Sequence, residues 1–175
     1  MDENAAQGLE ITAEIKALQQ RGMLVRTAPR RWRVCTAVSQ WILASLRDED
    51  IQRCERIHSD WSVQLAHTAA ATQDMLSLIR EQDNLLAASM RAADRLDAEA
   101  AGITSVGLIL GLHWMGPPAA ALTVANRALA LEDLSPRLRV QILRLRALSQ
   151  HFLGHLDDAT SDLHEAVVLL SLIHI

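Results

Sequence analysis

The arginines near the start of the chain are the residues whose chemistry is most conspicuous. The stretch RGMLVRTAPRRWRVCTAVSQWIL, Arg21–Leu43, holds five arginines and two tryptophans in a chain whose net charge is −4. No acidic residue occurs between Lys16 and Arg47. Guanidinium groups here could contact nucleic-acid phosphates, with salt-sensitive affinity and little sequence information. They could also meet acidic surfaces of neighbouring protein domains. The residues concerned are Arg26, Arg30, Arg31 and Arg33.

Other residue pairs could suggest catalysis or metal binding, but each has a structural explanation. His151 and His155 lie four residues apart, yet Gly154 ends the predicted helix between them and no glutamate completes an HExxH motif. Asp157 and Asp158 fit the start of a helix, where the helix dipole favours acids. Cys54 and His58 are two ligands where zinc needs four. We therefore expect no catalytic, cofactor or metal site, and no enzyme, because no nucleophile, base and orienting group converge.

Composition predicts a mostly α-helical protein. Half of the 175 residues are hydrophobic and 22% are charged, while tyrosine is absent and phenylalanine occurs once. The two cysteines, Cys35 and Cys54, suggest buried, reduced thiols and a cytoplasmic location. Residues 1–20 lack the apolar segment of a signal peptide.

The uncharged segment Ala100–Asn126 is long enough to cross a membrane. Its glycines and the Pro117-Pro118 pair argue against a single span, because a double proline breaks a helix. We interpret the segment as two buried helices joined by a tight turn, and we expect no membrane partner.

The N-terminal half is predicted as helices around one β-hairpin. A helix over 9–20 ends at Gly22, strands 23–26 and 31–35 flank a turn at 27–30, and Thr36 caps the next helix. A further helix starts at Ile51, and another runs from about residue 73 to Ala98. The four tryptophans are expected to anchor contacts between helices. Residues predicted to face the core are Val38, Trp41, Ile42, Leu46, Ile51, Cys54, Ile57, His58, Trp61, Leu65, Thr68, Ala69, Met75, Ile79, Leu86, Met90 and Ala93, with Leu78, Leu85 and Leu96 nearer a second face.

An internal repeat is the most informative feature of the C-terminal half. GPPAAALTVANRALAL, from Gly116, aligns with GHLDDATSDLHEAVVL, from Gly154, at an offset of 38 residues. Each unit is predicted to be an antiparallel helix pair, 103–115 with 119–131 and then 136–152 with 157–170. Ser135 and Pro136 begin the third of these helices.

This pattern resembles the tetratricopeptide repeat, an α-solenoid of helical hairpins. The resemblance assigns packing or turn roles to Gly116, Ala121, Ala128, Ala147, Gly154, Ala159 and Ala166. The later unit matches the family better than the earlier one. The spacing of 38 exceeds the usual length of about 34 residues.

A second resemblance covers residues 9 to about 96. The series ALQQRGMLVRTAPRRWRVCTAVSQWILASL is similar to the end of the winged-helix module in bacterial STAND-class signal-transduction ATPases, which are related to LuxR-type and NB-ARC proteins. Downstream, Arg56 and His58, and then Glu81, Asn84, Leu85 and Ala88, resemble that family's linker. The resemblance implies a winged-helix part at 1–47, linker helices at 48–100 and tetratricopeptide-like repeats at 101–175.

The expected function follows from that order. A Walker A motif is absent from this sequence, so we expect an internal piece of a longer regulator. Its final residues, Leu170–Ile175, resemble a translated sequencing adapter and are expected to break the helix pattern. The repeats would bind a protein partner or small ligand and relay occupancy to an ATPase outside this chain. The basic hairpin would then face neighbouring domains of the same chain. DNA-phosphate binding by the hairpin is the alternative.

Overall fold

The computed structural model describes residues 12–28 and 31–173, which fall into two compact units, Met1–Trp61 and Ser62–Ile175. Within those residues the chain forms nine helices and one two-stranded antiparallel sheet. The predicted mostly α class with an N-terminal hairpin is confirmed.

The elements follow one another with short connections. The chain runs α1 (Thr12–Gln20), β1 (Leu24–Ala28), β2 (Arg31–Val34), α2 (Thr36–Ser45), α3 (Asp48–Thr72), α4 (Met75–Arg80), α5 (Gln82–Asp94), α6 (Ala98–Met115), α7 (Pro118–Leu129), α8 (Pro136–Phe152) and α9 (Leu156–Ile173). Helix α3 begins in the first unit and ends in the second.

The hairpin of the first unit forms where it was predicted. Leu24 pairs with Val34, Val25 with Arg33 and Arg26 with Trp32, and the register shifts between Arg26 and Ala28. The turn was predicted at 27–30, but Thr27 and Ala28 belong to β1. The other two predicted turn residues, Pro29 and Arg30, lie outside the described residues.

The prediction that Thr36 caps α2 is wrong, because Thr36 is already the first helical residue. Cys35 holds the capping position, with an extended ψ of 135° and no capping bond from its side chain. Cys35 and Cys54 are both exposed, so the prediction of buried thiols is also wrong.

The buried face of α3 is displaced from the predicted one. Ala69 is buried as predicted, but the other buried residues are Ser59, Ser62 and Ala66, which lie one position beyond His58, Trp61 and Leu65 of the predicted stripe. Small side chains therefore face inward, and the larger ones lie half-buried beside them. Two tryptophans also fail as anchors, since Trp41 and Trp114 are each 68% exposed; Trp32 and Trp61 are half-buried.

The segment predicted as one helix to about Ala98 is two helices. Glu81 interrupts it, ending α4 and preceding α5. The buried row is Leu78, Leu85, Ala88 and Ala92, whereas Leu86, Met90 and Leu96 are exposed. The break changes the orientation of the second part of the segment. The predicted apolar face is therefore wrong where it includes Leu86 and Met90.

The second unit is built around α6, which packs against α4, α5, α7 and α8. Ten of its residues are buried, from Ala98 to Gly111. A Cβ built at Gly107 would lie 2.8 Å from the Cβ of Ala66, so this glycine lets α3 approach closely. By length and composition alone α6 could cross a membrane, but 61% of it is buried inside the fold.

Two helix pairs complete the second unit, as predicted. Gly116 and Pro117 join α6 to α7, and Leu153–His155 join α8 to α9. Helix α8 spans the predicted residues, with Ser135 at its N-cap and Pro136 at its first position. Helix α9 continues to Ile173, so the predicted break after Leu170 is wrong; His174 and Ile175 lie outside the described residues.

Candidate functional site

A groove of about 740 Å³ lies in the second unit and is open to solvent. It is bounded by α3, α6 and α8, with one residue from α9. We call this feature the α3–α6–α8 groove. Its lining residues are Ala66, His67, Ala70, Ala71, Glu99, Ile103, Val106, Leu110, Ser135, Arg137, Leu138, Gln141, Arg144, Leu145, Leu148 and Leu163.

Helical periodicity explains why these residues share one surface. On α8 the groove residues recur from Arg137 through Gln141 and Arg144 to Leu148, at spacings of three and four. On α6 they recur in the same way from Glu99 to Leu110. Residues at such spacings lie on one helix face. Each wall is therefore a row of about 16 Å, or three helical turns.

The two long walls run side by side in the same direction. Near one end Gly102 of α6 faces Leu134 and Leu138, with a built Cβ 2.7 Å and 2.8 Å from their Cδ1 atoms. Near the other end His113 Nε2 lies 2.8 Å from Ser149 Oγ. Leu138 follows Gly102 by the same number of residues as Ser149 follows His113. The two rows of groove residues therefore keep one register along their length.

The floor and walls of the groove differ in side-chain size. Helix α3 contributes three alanines, Ala66, Ala70 and Ala71, together with His67, whereas α6 and α8 contribute branched aliphatic side chains such as Ile103 and Leu145. Small residues beneath larger ones leave room for bulky side chains from an occupant. The groove thus suits a ligand that supplies apolar bulk.

The charges of the groove are unevenly distributed. Arg137 and Arg144 lie seven residues apart on α8, both exposed. Among the described residues neither forms an ion pair. Glu99 on α6 is the one acidic residue of the lining. The α8 wall is therefore basic, with two charges about 10 Å apart along the helix.

The other two arginines of the same motif hold α8 in place. The sequence Arg-Leu-Arg occurs at 137–139 and again at 144–146. Its second arginines turn away from the groove: Arg139 donates to the carbonyl of Leu131 at 3.4 Å, and Arg146 donates to Asp162 at 2.6 and 2.7 Å. The same arginine donates to Asn126 Oδ1 at 3.0 Å.

Arg146 therefore joins α7, α8 and α9. Its ion pair is largely buried, with the two side chains 22% and 6% exposed. The hydrogen bonds that Arg146 donates to the Asp162 carboxylate raise the pKa of Arg146 further above its ordinary value. This three-helix contact fixes the rotation of α8 and so the direction in which Arg137 and Arg144 point.

A second polar contact fixes α8 against α6. Ser149 Oγ is buried and also lies 3.2 Å from the carbonyl of Leu145. If the hydroxyl donates to that carbonyl, the Nε2–H of His113 donates to the hydroxyl, and both contacts are satisfied. Burial lowers the pKa of His113, which favours the neutral ring.

The residues that the repeat resemblance singled out lie inside the fold or at its turns. The alanines are all buried, and they are Ala121, Ala128, Ala147, Ala159 and Ala166. Gly154 has a φ of +81°, which glycine adopts readily. Gly116 has an extended backbone instead, and its lack of a side chain matters because a Cβ would lie 2.6 Å from Leu112 Cδ2.

The arginines of the hairpin are not gathered on one face. Arg33 pairs with Val25 and Arg26 with Trp32, so alternation along the strands places Arg26 and Arg33 on opposite faces. Both are exposed, Arg31 is half-buried, and Arg30 lies outside the described residues. Within the part of the chain that is described, no three of His, Cys, Asp and Glu come together to hold a metal ion.

Sequence reasoning missed every residue of the groove. The repeated Arg-Leu-Arg triplet, seven residues apart, was the available signal, because a seven-residue repeat marks one helix face. Comparison with protein-family models, with curated proteins and with solved structures gives no match for this chain.

Proposed function

We propose that this chain is a non-catalytic, protein-binding and coupling region of a cytoplasmic bacterial signal-transduction or transcriptional regulator. The observation that carries the proposal is the α3–α6–α8 groove, an open apolar surface with a basic wall. Rows of apolar side chains interrupted by a few charged groups are typical of surfaces that bind protein partners.

The proposed coupling role adds the chain order to the groove. Helix α3 lines the groove near its C-terminal end and is continuous back to Asp48. An occupant that contacts Ala70 and Ala71 would therefore contact α3, the helix that follows α2 in the chain. In the resembled regulators the corresponding linker would transmit occupancy to an ATPase outside this chain.

A displayed peptide library tests whether the groove binds protein segments at all. The chain is immobilised and a random library of about 16 residues, long enough for four helical turns, is selected against it. Enriched peptides are then measured against Ala71→Trp, which fills the groove from an exposed floor position. We expect binding to fall at least about tenfold, a loss of about 1.4 kcal/mol.

Matched variants separate groove blocking from general damage. Ala119→Trp places the same side chain at an exposed position of α7 outside the groove, and binding should be unchanged. Leu148→Glu alters the opposite wall at a 40% exposed position and should weaken binding too. The proposed function would be contradicted if the selection enriched no peptide, or if both groove variants bound the enriched peptides as tightly as the wild type.

The second candidate is phosphate binding by the hairpin, which is supported by the exposure of Arg26 and Arg33. Their placement on opposite faces means that one duplex could not contact both from the same side. Titration with duplex DNA at low and high salt tests this candidate. Absence of binding at low salt eliminates it, because phosphate contacts are strongest there.

A further inference from the structure

We infer that the occupant of the α3–α6–α8 groove is an amphipathic α-helix of about three turns, with acidic side chains two turns apart along the α8 wall. This inference rests on the proposed function and names the chemistry of its partner.

The polar groups of the groove favour a helix over an extended peptide. An extended segment exposes a backbone N–H and C=O at each residue, and these need partners when they leave water. Besides Glu99 and the two arginines, the lining has three polar side chains, His67, Ser135 and Gln141, and its remaining residues are aliphatic. A helix satisfies its own backbone bonds, so it can enter an apolar groove without that cost.

The spacing of the walls leads to the same conclusion. Both α6 and α8 present their groove residues at intervals of three and four over about 16 Å. A docked helix presents its own apolar stripe at the same intervals, so its side chains can fit between successive wall residues. The alanine floor at Ala66, Ala70 and Ala71 accommodates leucine-sized side chains.

The charges set the polarity of the occupant. Arg137 and Arg144 are separated by two helical turns and have no ionic partner among the described residues. Carboxylates seven residues apart on a parallel or antiparallel helix would face both guanidinium groups. Glu99 stands on the opposite wall, so the occupant's acids belong on the α8 side.

A designed peptide pair tests this chemistry on the whole chain. The acidic peptide has about 14 residues, a leucine stripe at helical spacing and two glutamates seven apart beside it. A side-chain crosslink on its outer face keeps it helical, because free peptides of this length are marginal helices. Its partner carries lysines in place of the glutamates. We expect fluorescence anisotropy to show at least about tenfold tighter binding of the acidic peptide at low salt.

Charge reversal makes the test specific. In the double variant Arg137→Glu and Arg144→Glu, the lysine peptide should become the tighter ligand, a reversal of about 100-fold in the ratio of affinities. Arg127→Glu reverses an exposed charge on α7 outside the groove and should leave the preference unchanged. Misfolding cannot reverse the preference, because it would weaken the binding of both peptides.

A third peptide tests the helix. It has the same composition with two central prolines, so it cannot form a continuous helix. It should bind at least about tenfold more weakly than the acidic peptide.

Several results would overturn the inference while leaving the proposed function intact. Equal binding of the acidic and lysine peptides excludes the role of the arginines, and equal binding of the proline peptide excludes the helix. If library peptides of other chemistry bind in the groove while the acidic helix does not, only the inference fails. If library selection also enriches no peptide, the inference and the proposed function both fail. Binding of small molecules alone would likewise contradict both the inference and the proposed function.

Discussion

At the residue scale, α8 shows how one triplet serves two purposes. In each Arg-Leu-Arg the first arginine borders the groove and the second bonds inward. The difference arises because residues two apart on a helix point about 200° from each other. The seven-residue repeat then places equivalent arginines on equivalent faces. The sequence contained this repeat, but its meaning depends on which helices α8 meets.

Removing Arg146 should destabilise the second unit. Arg146→Ala leaves the carboxylate of Asp162 buried without its cation and Asn126 without a donor. We expect a loss of about 2 to 4 kcal/mol in the free energy of unfolding. Urea titration followed by circular dichroism measures it. Arg127→Ala, at an exposed position of α7, should change stability by less than about 0.5 kcal/mol. Equal changes in the free energy of unfolding for the two variants would contradict this structural role of Arg146.

Acidification should weaken the contact between α6 and α8 through His113. Its folded-state pKa lies below the ordinary 6.5 because burial disfavours the charged ring. The unfolded chain then binds the proton first, so the free energy of unfolding decreases as pH falls through about 6.5. The decrease stops once pH is below the folded-state pKa.

The pH dependence of urea unfolding isolates this contribution. His113→Gln removes the titrating ring but keeps an N–H donor near Ser149, so its stability should fall less between about pH 7.5 and about pH 5.5. If the free energy of unfolding of His113→Gln changed with pH as steeply as that of the wild type, the assignment of this pH dependence to His113 would be contradicted.

At the scale of elements, four helices end in the same way. After α1, α3, α5 and α8 the backbone turns through a positive φ, at Gly22, Gln73, Leu96 and Gly154 respectively. In each case the next residue donates to the carbonyl five positions back, as His155 does to Gln150 at 2.9 Å. The two glycine ends were predicted from the sequence, because glycine there is the usual signal.

The other two ends lie close to the predicted ones, near residues 73 and 98, although Gln73 and Leu96 are not residues that usually end a helix. The break at Glu81 was not predicted, and Glu81 is buried there and accepts from Asn84 at 2.5 Å. Errors in the predicted apolar face, such as Leu86 and Met90, follow from this unsignalled break. Helix α8, flanked by Ser135-Pro136 and Gly154, was predicted correctly.

The two kinds of helix end should respond oppositely to substitution. Leu96 is 85% exposed at a φ of +59°, so Leu96→Gly relieves backbone strain and loses little packing. We expect a gain of about 0.5 to 1 kcal/mol. Gly154→Ala introduces strain at a φ of +81°, although nothing lies within 4 Å of its new Cβ, and should cost about 1 kcal/mol.

Thermal unfolding by circular dichroism distinguishes these changes. Gly154→Asn should cost less than Gly154→Ala, because asparagine tolerates the left-handed region. A stabilising effect of Gly154→Ala, or a destabilising effect of Leu96→Gly, would show that side-chain packing rather than backbone conformation controls these turns.

At the scale of the whole molecule, the two units differ in how much they bury. The described core residues cluster in the second unit, where Ile109, Ala125 and Ile142 join α6, α7 and α8. The first unit has few buried side chains among its described residues, Ile15 being one. The groove could not be predicted because it combines α3, α6 and α8, whose relative placement is not encoded in any local pattern.

Hydrogen exchange should reveal this difference along the chain. Helix α2 has no buried residue, whereas α6 has ten, including Ile109 and Leu108. Amide protection follows the free energy of local opening, which ranges from about zero for exposed segments to the global value for core helices. After correction for intrinsic rates, amides of α2 should exchange on the order of 1000-fold faster than those of α6. Mass spectrometry of quenched, digested samples resolves the two segments. Equal protection of α2 and α6 would mean that another surface covers α2 in solution, although Trp41 and Leu43 of α2 are exposed in this structure.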